Sequence, residues 1–273
     1  MSKESESLAD GLFVPDEERN PLRNAVQRGA RPELPKRFYQ SASVGEAEGG
    51  YAVLLDGRTV KTPARRILTT PSSTLTNALA EEWAAQGERL NPTSMPLTRL
   101  VNSAIDGVAD RLEEVATDVA KYAGSDLVSY RAAEPAGLVA AQAEAWDPLL
   151  AFAKERLGAE LAATSGVIFV SQAPEATAAI AAAVRAYAGQ GAEAPFRLAA
   201  LHAMTTLTGS CLIALAVALG EMEVEAAWAA AHVDEDHQIE AWGADAEAME
   251  RRARRFAEMK AAARIIEFLP RDA

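Results

Sequence analysis

The spacing of hydrophobic positions changes near Pro71, and the change separates two kinds of predicted structure. Before Pro71, apolar residues alternate with polar ones, as is typical of strands with one buried face. Strands are predicted at residues 38–44, 51–55, 59–62 and 67–70. Asp56-Gly57 separates the second strand from the third, and this pair favours a tight hairpin turn. The pattern therefore predicts a small antiparallel sheet.

After Pro71, apolar residues recur at the three- and four-residue spacing of helices. Ser72 or Ser73 can cap the first helix. Helices are predicted at residues 73–86, 97–108, 110–123, 138–157, 174–187, 198–219 and 247–268, with extended pieces at 127–130 and 167–170. Pro148 lies inside the fourth helical segment and predicts either a kink or two successive helices.

These elements predict an α+β fold, in which a small antiparallel β-rich N-terminal domain precedes a larger all-α orthogonal helical bundle. The predicted divisions are a polar, mobile tail at residues 1–35, the β-rich domain at 36–75 and the helical domain at 76–273. The tail is expected to be mobile because it is polar and interrupted by prolines. The sheet is too small to be stable without cover from the helices.

Composition narrows the class of protein. The 273 residues are 49 % hydrophobic and 24 % charged, which is typical of a globular chain. The net charge is -12 without an evident basic patch, so nucleic-acid binding is not expected. Cys211 is the single cysteine; an intrachain disulfide is impossible, and a small buried side chain is expected. Residues 1–10 resemble neither a secretion signal nor a transit peptide, which favours a cytoplasmic protein.

Residues 198–219 contain no Asp, Glu, Lys or Arg and are long enough to cross a bilayer. However, the stretch holds His202 and several threonines, acidic residues follow it at once, and the other predicted helices are amphipathic. We therefore predict the central buried helix of a bundle and no membrane insertion.

The segment 234–243 carries the strongest functional signal. An apolar stripe at helical spacing runs through its neighbourhood, formed by Val224, Trp228, Ala231, Ile239, Trp242, Ala246 and Met249. Glu235 and Gln238 lie on the same stripe, where a helix that served only the core would carry leucine or alanine. Desolvating an unpartnered carboxylate is costly. Either these side chains are paired inside the fold, or the stripe leaves the core here and faces a partner molecule.

Catalytic alternatives are weaker. Segment 234–240 places three carboxylates beside His237, which leaves a metal-dependent enzyme as the alternative function. A carboxylate-bridged di-metal site would need a second acidic-x-x-His set, and neither His202 nor His232 supplies one. Nucleophile-elbow, P-loop and dinucleotide-binding motifs are absent from the sequence. We therefore expect no catalytic residue, no metal and no cofactor.

Other candidates are interpreted as structural. The arginines within residues 251–255 follow acidic residues at helical spacing. The predicted ion pairs are Glu247–Arg251, Glu250–Arg254 and Arg254–Glu258. Trp83, Trp146 and Trp228 are expected to anchor the core, whereas Trp242 shares a face with Glu235 and Gln238.

Short motifs occur in a fixed order between Arg37 and Leu269. They are Arg37-Phe38-Tyr39, Leu55-Asp56-Gly57-Arg58, Lys61-Thr62-Pro63, Glu82-Trp83 with Gln86, Met95-Pro96-Leu97-Thr98-Arg99-Leu100, Ala104-Ile105-Asp106, Asp126-Leu127, Tyr130-Arg131, Gln142 with Trp146-Asp147-Pro148, and Glu235-x-x-Gln238-x-x-x-Trp242-Gly243. In this order, they make the chain resemble the F-type ATP synthase assembly chaperones that attend the unassembled α subunit, the mitochondrial assembly factor two type.

The resemblance implies a non-enzymatic chaperone that shields a surface of the ATP synthase α subunit until the β subunit takes it. It also implies a functional acidic residue in the stretch from Glu235 to Trp242, with Glu235 and Glu240 as candidates. The predicted client-binding residues are Glu235, Gln238, Glu240, Trp242, Gly243 and Asp245. We expect a monomer, cytoplasmic in a bacterium, whereas related eukaryotic proteins are expected in the mitochondrial matrix. A general holdase for unrelated clients is a third hypothesis.

Overall fold

The computed structural model describes residues 34–166 and 168–270. The predicted tail at 1–35 lies outside the described residues, apart from its last two positions. Most of the sheet lies between residues 42 and 59. Its four strands are β1 (Ala42–Ala47), β2 (Gly50–Leu55), β3 (Arg58–Thr59) and β4 (Thr69–Thr70).

Strand β2 is the centre of the sheet and pairs antiparallel with β1, β3 and β4. The register places Val44 opposite Val53. Asp56 (φ 47°) and Gly57 (φ 78°) are both left-handed, which matches the twist of the strands they join and confirms the predicted hairpin. Strand β1 begins at Ala42 rather than at residue 38, because the amides of Gln40 and Ser41 donate to the Asp56 carboxylate instead of to a neighbouring strand.

The rest of the described chain is mainly helical. The α-helices are α1 (Ser73–Ala84), α2 (Pro96–Ser103), α3 (Leu112–Lys121), α4 (Ala136–Leu157), α5 (Pro174–Ala188), α6 (Ala194–Thr208), α7 (Cys211–Ala218), α8 (Val224–Ala231), α9 (Val233–Trp242) and α10 (Ala246–Phe268). Two short strands, β5 (Tyr130–Arg131) and β6 (Thr164–Ser165), pair in parallel. The predicted α+β class, a small sheet followed by a larger helical part, is confirmed.

Local sequence explains several helix boundaries. The Ser72 side chain accepts a hydrogen bond from Leu75 N and caps α1, as predicted. Pro148 lies within α4, which is one helix and not two. The apolar stretch 198–219 is two helices rather than one, because Gly209 turns the chain with φ 71° and the Ser210 side chain then caps α7.

One continuous hydrophobic core joins the sheet to the helices, with Val53, Leu75, Leu201 and Ile265 among its buried members. Helix α1 packs on β1 and β2. The predicted boundary between residues 75 and 76 falls in the first turn of α1, and the division into two domains stays a prediction. In the described part of the chain, no helix has the length and apolar character needed to cross a membrane.

Helix α10 bears out two of the three predicted ion pairs. Arg251 contacts Glu247 at 2.6 Å, and Arg254 contacts Glu250 at 3.2 Å. The third prediction is wrong, because Glu258 faces α2 and pairs instead with Arg99 at 2.9 Å. Exposed pairs of this kind contribute little to stability.

Candidate functional site

Helix α9 lies on the surface and is bounded by two backbone breaks. His232 separates it from α8, and Gly243, with φ 89°, separates it from α10. The stripe predicted from Val224 to Met249 therefore runs over three successive helices rather than along one. Trp228 is in the core, whereas none of the residues of α9 is fully buried.

The inward side of α9 is held by polar contacts. The side chain of Gln142 in α4 donates from Nε2 to Asp234 Oδ1 at 2.6 Å. Arg252 in α10 donates to both carboxylate oxygens of Asp236. His237 faces the first turn of α4, where a side chain at Gly137 would lie 3.8 Å from the His237 Cε1 atom. Two acidic residues of the segment are thus used inside the molecule.

The outward side of α9 carries Glu235, Gln238 and Trp242. These residues are three and four positions apart, so they lie on one face of the helix. Trp242 is 81 % exposed, which is unusual for the residue type with the largest apolar surface. Glu235 is exposed and lies 3.6 Å from His232 Nε2. Within the described residues, the side chain of Gln238 makes no hydrogen bond or ion pair, and Gln238 is exposed. The stripe therefore leaves the core at this helix.

The other three predicted site residues lie outside this face. Glu240 is exposed but, at 100° per residue, points about 140° away from Glu235 and about 160° away from Gln238 and Trp242, on the side of α9 that Asp236 also occupies. Gly243 is exposed and has a left-handed backbone that ends α9. Asp245 is exposed and caps α10, accepting hydrogen bonds from Glu247 N at 3.2 Å and Ala248 N at 3.3 Å. Gly243 and Asp245 thus have a local structural role at the corner between the two helices.

The helix that precedes the site is firmly anchored. Trp146 donates from Nε1 to the carbonyl oxygen of Ala230 at 2.7 Å. Trp228 stacks on Phe256, with ring centroids 5.3 Å apart, and contacts the His232 ring at 3.9 Å. Burial lowers the pKa of His232, while its hydrogen bond to the Trp228 carbonyl acts in the opposite direction. A packed aromatic cluster therefore fixes the point where α9 begins.

Several motif residues used for the resemblance have structural roles far from α9. Arg37 donates to the carbonyl oxygens of Gln40 and Ala84, and Tyr39 donates to Trp83 O at 2.6 Å. The Glu82 carboxylate accepts from the first backbone amides of α2 at 2.8 and 2.9 Å, and burial raises its pKa. These contacts join elements of the fold, so Arg37, Tyr39 and Glu82 have a structural role.

The metal-enzyme alternative is not supported by the geometry of segment 234–240. Asp234, Asp236 and Glu235 approach Gln142, Arg252 and His232 respectively, so their carboxylates diverge. Across residues 34–166 and 168–270, no three His, Cys, Asp or Glu side chains are grouped closely enough to hold a metal ion. Cys211 is buried as predicted, and burial raises the pKa of its thiol.

A second exposed apolar feature was missed in the sequence. Ile168 is 71 % exposed and Phe169 is 68 % exposed. Residues 168–170 are not a strand, contrary to the prediction for 167–170, and Val167 lies outside the described residues. The pairing strand is instead β6, which precedes Gly166. Ile168 and Phe169 are adjacent and lie a few residues before Pro174, the first residue of α5. Their closeness to the start of a helix was the available signal for a loop.

Comparisons with known proteins agree with this architecture. Residues 36–154 match the family described as ATP12 chaperone protein. The crystal structure of Atu1473 from Agrobacterium tumefaciens is 45 % identical, covers 97 % of this chain and 95 % of its own, and superposes with a TM-score of 0.82. Atp12 from Paracoccus denitrificans is 43 % identical, with 86 % of this chain and 98 % of that chain covered and a TM-score of 0.78. The chain belongs to the ATP12 chaperone family.

The ATP12 family also has a curated mitochondrial member similar to this chain. Protein atp12 of Schizosaccharomyces pombe is 25 % identical over 224 residues, which cover 76 % of this chain and 74 % of that protein. The predicted resemblance to an ATP synthase assembly chaperone is thereby confirmed at the level of the family. The family match ends at residue 154, so α9 lies outside it.

Proposed function

We propose that this ATP12-family chain is a non-enzymatic chaperone that binds the unassembled ATP synthase α subunit through the outward face of α9. The observation that carries the proposal is the exposure of Trp242 on the same face as Glu235 and Gln238. A stable monomer rarely leaves a tryptophan so exposed unless a partner covers it. Membership in a family of ATP synthase assembly chaperones supports a synthase subunit as that partner.

The chemistry of this face suits a temporary partner. Subunit interfaces that await assembly expose apolar surface and are prone to aggregation. Trp242 offers one large apolar anchor, and such anchors dominate binding energy in many interfaces. Glu235 and Gln238 place polar groups beside it, and water can hydrate these groups when no partner is bound. The face can therefore cover an apolar client surface with basic neighbours and later release it to the β subunit.

Of the two acidic candidates, the helix geometry favours Glu235 as the central contact. Glu235 lies one turn from Gln238 and two turns from Trp242, on the outward face. Glu240 lies on the opposite side of α9, one turn beyond Asp236, which already pairs with Arg252. We propose that Glu235 contacts the client near the anchor and that Glu240, on the other side of α9, contributes less.

The first test is capture of the α subunit by purified variants. Trp242→Ala is expected to weaken capture by about 30-fold, the size of a buried aromatic anchor, and Glu235→Lys by a similar factor. Glu240→Lys is expected to weaken it by less than about tenfold, since Glu240 points away from the outward face. The measurement is the Kd of each variant for the purified α subunit, with circular dichroism to verify folding.

Two matched controls accompany these variants. Glu155→Lys makes the same charge change at an exposed site in α4, about 20 Å along that helix from Gln142. Phe38→Ala removes an aromatic ring that is 72 % exposed at the sheet end of the molecule. Both are expected to bind like the parent. Equal capture by the parent and by the Trp242 and Glu235 variants would refute the assignment of the site, and equal suppression of aggregation for unrelated clients would favour a general holdase.

The remaining expectations are part of the same proposal. The chaperone acts as a monomer in the cytoplasm of a bacterium, without a cofactor. Trp242 and its neighbours remain exposed until the client arrives.

A further inference from the structure

Helix α9 is attached to the body of the protein through alternate acidic residues. Asp234 and Asp236 are two positions apart, so their side chains leave the helix in opposite lateral directions. Asp234 reaches Gln142 in α4, and Asp236 reaches Arg252 in α10. The outward face with Glu235 lies between these two contacts.

The Gln142 contact belongs to a buried network. The Gln142 side chain is almost fully buried, and its Oε1 accepts a hydrogen bond from Ala132 N at 2.7 Å while its Nε2 donates to Asp234. Arg131 Nη1 donates to the backbone carbonyl of Gln142 at 3.1 Å. Arg131 also pairs with Asp147 at 2.9 Å. One amide side chain thus joins α9 to α4 and to the segment after β5.

The Arg252 contact is a two-point ion pair. Arg252 is 17 % exposed and Asp236 45 % exposed, so water screens the pair only partly. A guanidinium that donates to both oxygens of a carboxylate fixes direction as well as distance. Since none of the residues of α9 is fully buried, packing alone defines its orientation weakly. The contacts of Asp234 with Gln142 and of Asp236 with Arg252 therefore fix the orientation of α9.

We propose that Gln142 and Arg252 are positioning residues that set the orientation of α9 and so present Glu235, Gln238 and Trp242 together to the client. Neither positioning residue touches the client. This inference rests on the proposed function for its binding consequence, but the orientation of α9 is a property of the free protein. The two parts can therefore be measured separately.

A charge swap tests the Arg252 contact. Asp236→Arg and Arg252→Asp each place like charges together, and each is expected to weaken binding of the purified ATP synthase α subunit by about tenfold. The double variant restores an opposite-charge pair and is expected to recover most of that loss. A merely destabilising change at either site would not be reversed by the second substitution.

The matched control is the pair Glu113–Arg185, which joins α3 to α5 at 2.5 Å. Glu113→Arg and Arg185→Glu reverse the same kinds of charge at an ion pair that does not involve α9. Both are expected to bind the α subunit like the parent. For the buried contact, Gln142→Leu removes both side-chain hydrogen bonds and is expected to reproduce the loss seen with Arg252→Asp.

Hydrogen exchange in residues 233–242 of the free protein provides a readout that needs no client. Amide exchange there is expected to be about fivefold faster in each single variant and to return to the parent rate in the double variant. Unchanged exchange and binding in the single variants would overturn the inference, as would a double variant no better than the singles. Rescued exchange in a protein that does not bind the α subunit would support the positioning role and refute the proposed client.

Discussion

Replacement of Asp126 by alanine is expected to lower the free energy of unfolding by about 3–5 kcal/mol, the cost of leaving several buried amides without their hydrogen-bond acceptor. Asp126 is fully buried and precedes β5. Its Oδ2 accepts hydrogen bonds from Cys211 N at 2.8 Å and Leu212 N at 3.2 Å, and its Oδ1 accepts one from Val128 N at 3.3 Å. Alanine would leave the first amides of α7 without their acceptor in the core.

Urea unfolding followed by circular dichroism at neutral pH measures this loss. Burial raises the pKa of Asp126, which shows that the ionised form is disfavoured there. Asp126→Asn keeps a neutral acceptor of the same shape and is the matched control, with an expected loss of about 1–2 kcal/mol. If the alanine and asparagine variants both unfold at the urea concentration of the parent, the capping role of Asp126 is refuted.

The second large effect is a loss of stability in mild acid that depends on His202. This residue is fully buried in α6, and burial lowers the pKa of its imidazole from 6.5 to about 4, although the nearby Asp118 acts to raise it. Between pH 6.5 and about pH 4, the imidazole of His202 is protonated in the unfolded chain but neutral in the folded protein. The free energy of unfolding should therefore fall as the pH decreases from about 6.5 to about 4, by roughly 3 kcal/mol from this residue.

The measurement is the free energy of unfolding at several pH values for the parent and for His202→Gln. Carboxyl groups titrate in the same range in both proteins, so the difference between the two curves isolates the imidazole. The variant is expected to show the shallower dependence. Parallel curves would contradict a neutral buried His202.

The sequence was sufficient to predict the sheet, because Asp56-Gly57 between alternating segments strongly favours one turn geometry. Most helices followed from their spacing and caps, as with Ser72 before α1. The break at Gly209 was missed because an uninterrupted apolar run hides the end of one buried helix and the start of the next. Glycine in such a run can either continue a helix or end it, and tertiary packing decides which.

The sequence predicts which segment forms the site but not which of its side chains face outward. The placement of Glu235 and Gln238 on an apolar stripe marks the segment of α9 as a candidate binding site in the sequence. Which acidic residues face inward could not be read from the sequence, because the partners of Asp234 and Asp236 lie far away in the chain, at Gln142 and Arg252. Side-chain direction depends on these tertiary contacts rather than on local spacing.

The corner after α9 shows the same limit. Trp242-Gly243 and Asp245 were grouped as client-binding residues, and the structure gives Gly243 and Asp245 a turn and a cap as well. A motif can thus contain residues that contact a partner and residues that shape the backbone beside them. Substitution of Asp245 would therefore report on the start of α10 as well as on binding.

Hydrogen exchange of the protein alone and in complex with the purified ATP synthase α subunit tests the central claim most directly. Protection on binding is expected in residues 233–249, which include α9 and the corner to α10, with little change in the sheet at residues 42–59. Protection confined to other elements, with exchange at 233–249 unaltered by a bound α subunit, would contradict the assignment of α9 as the client-binding face.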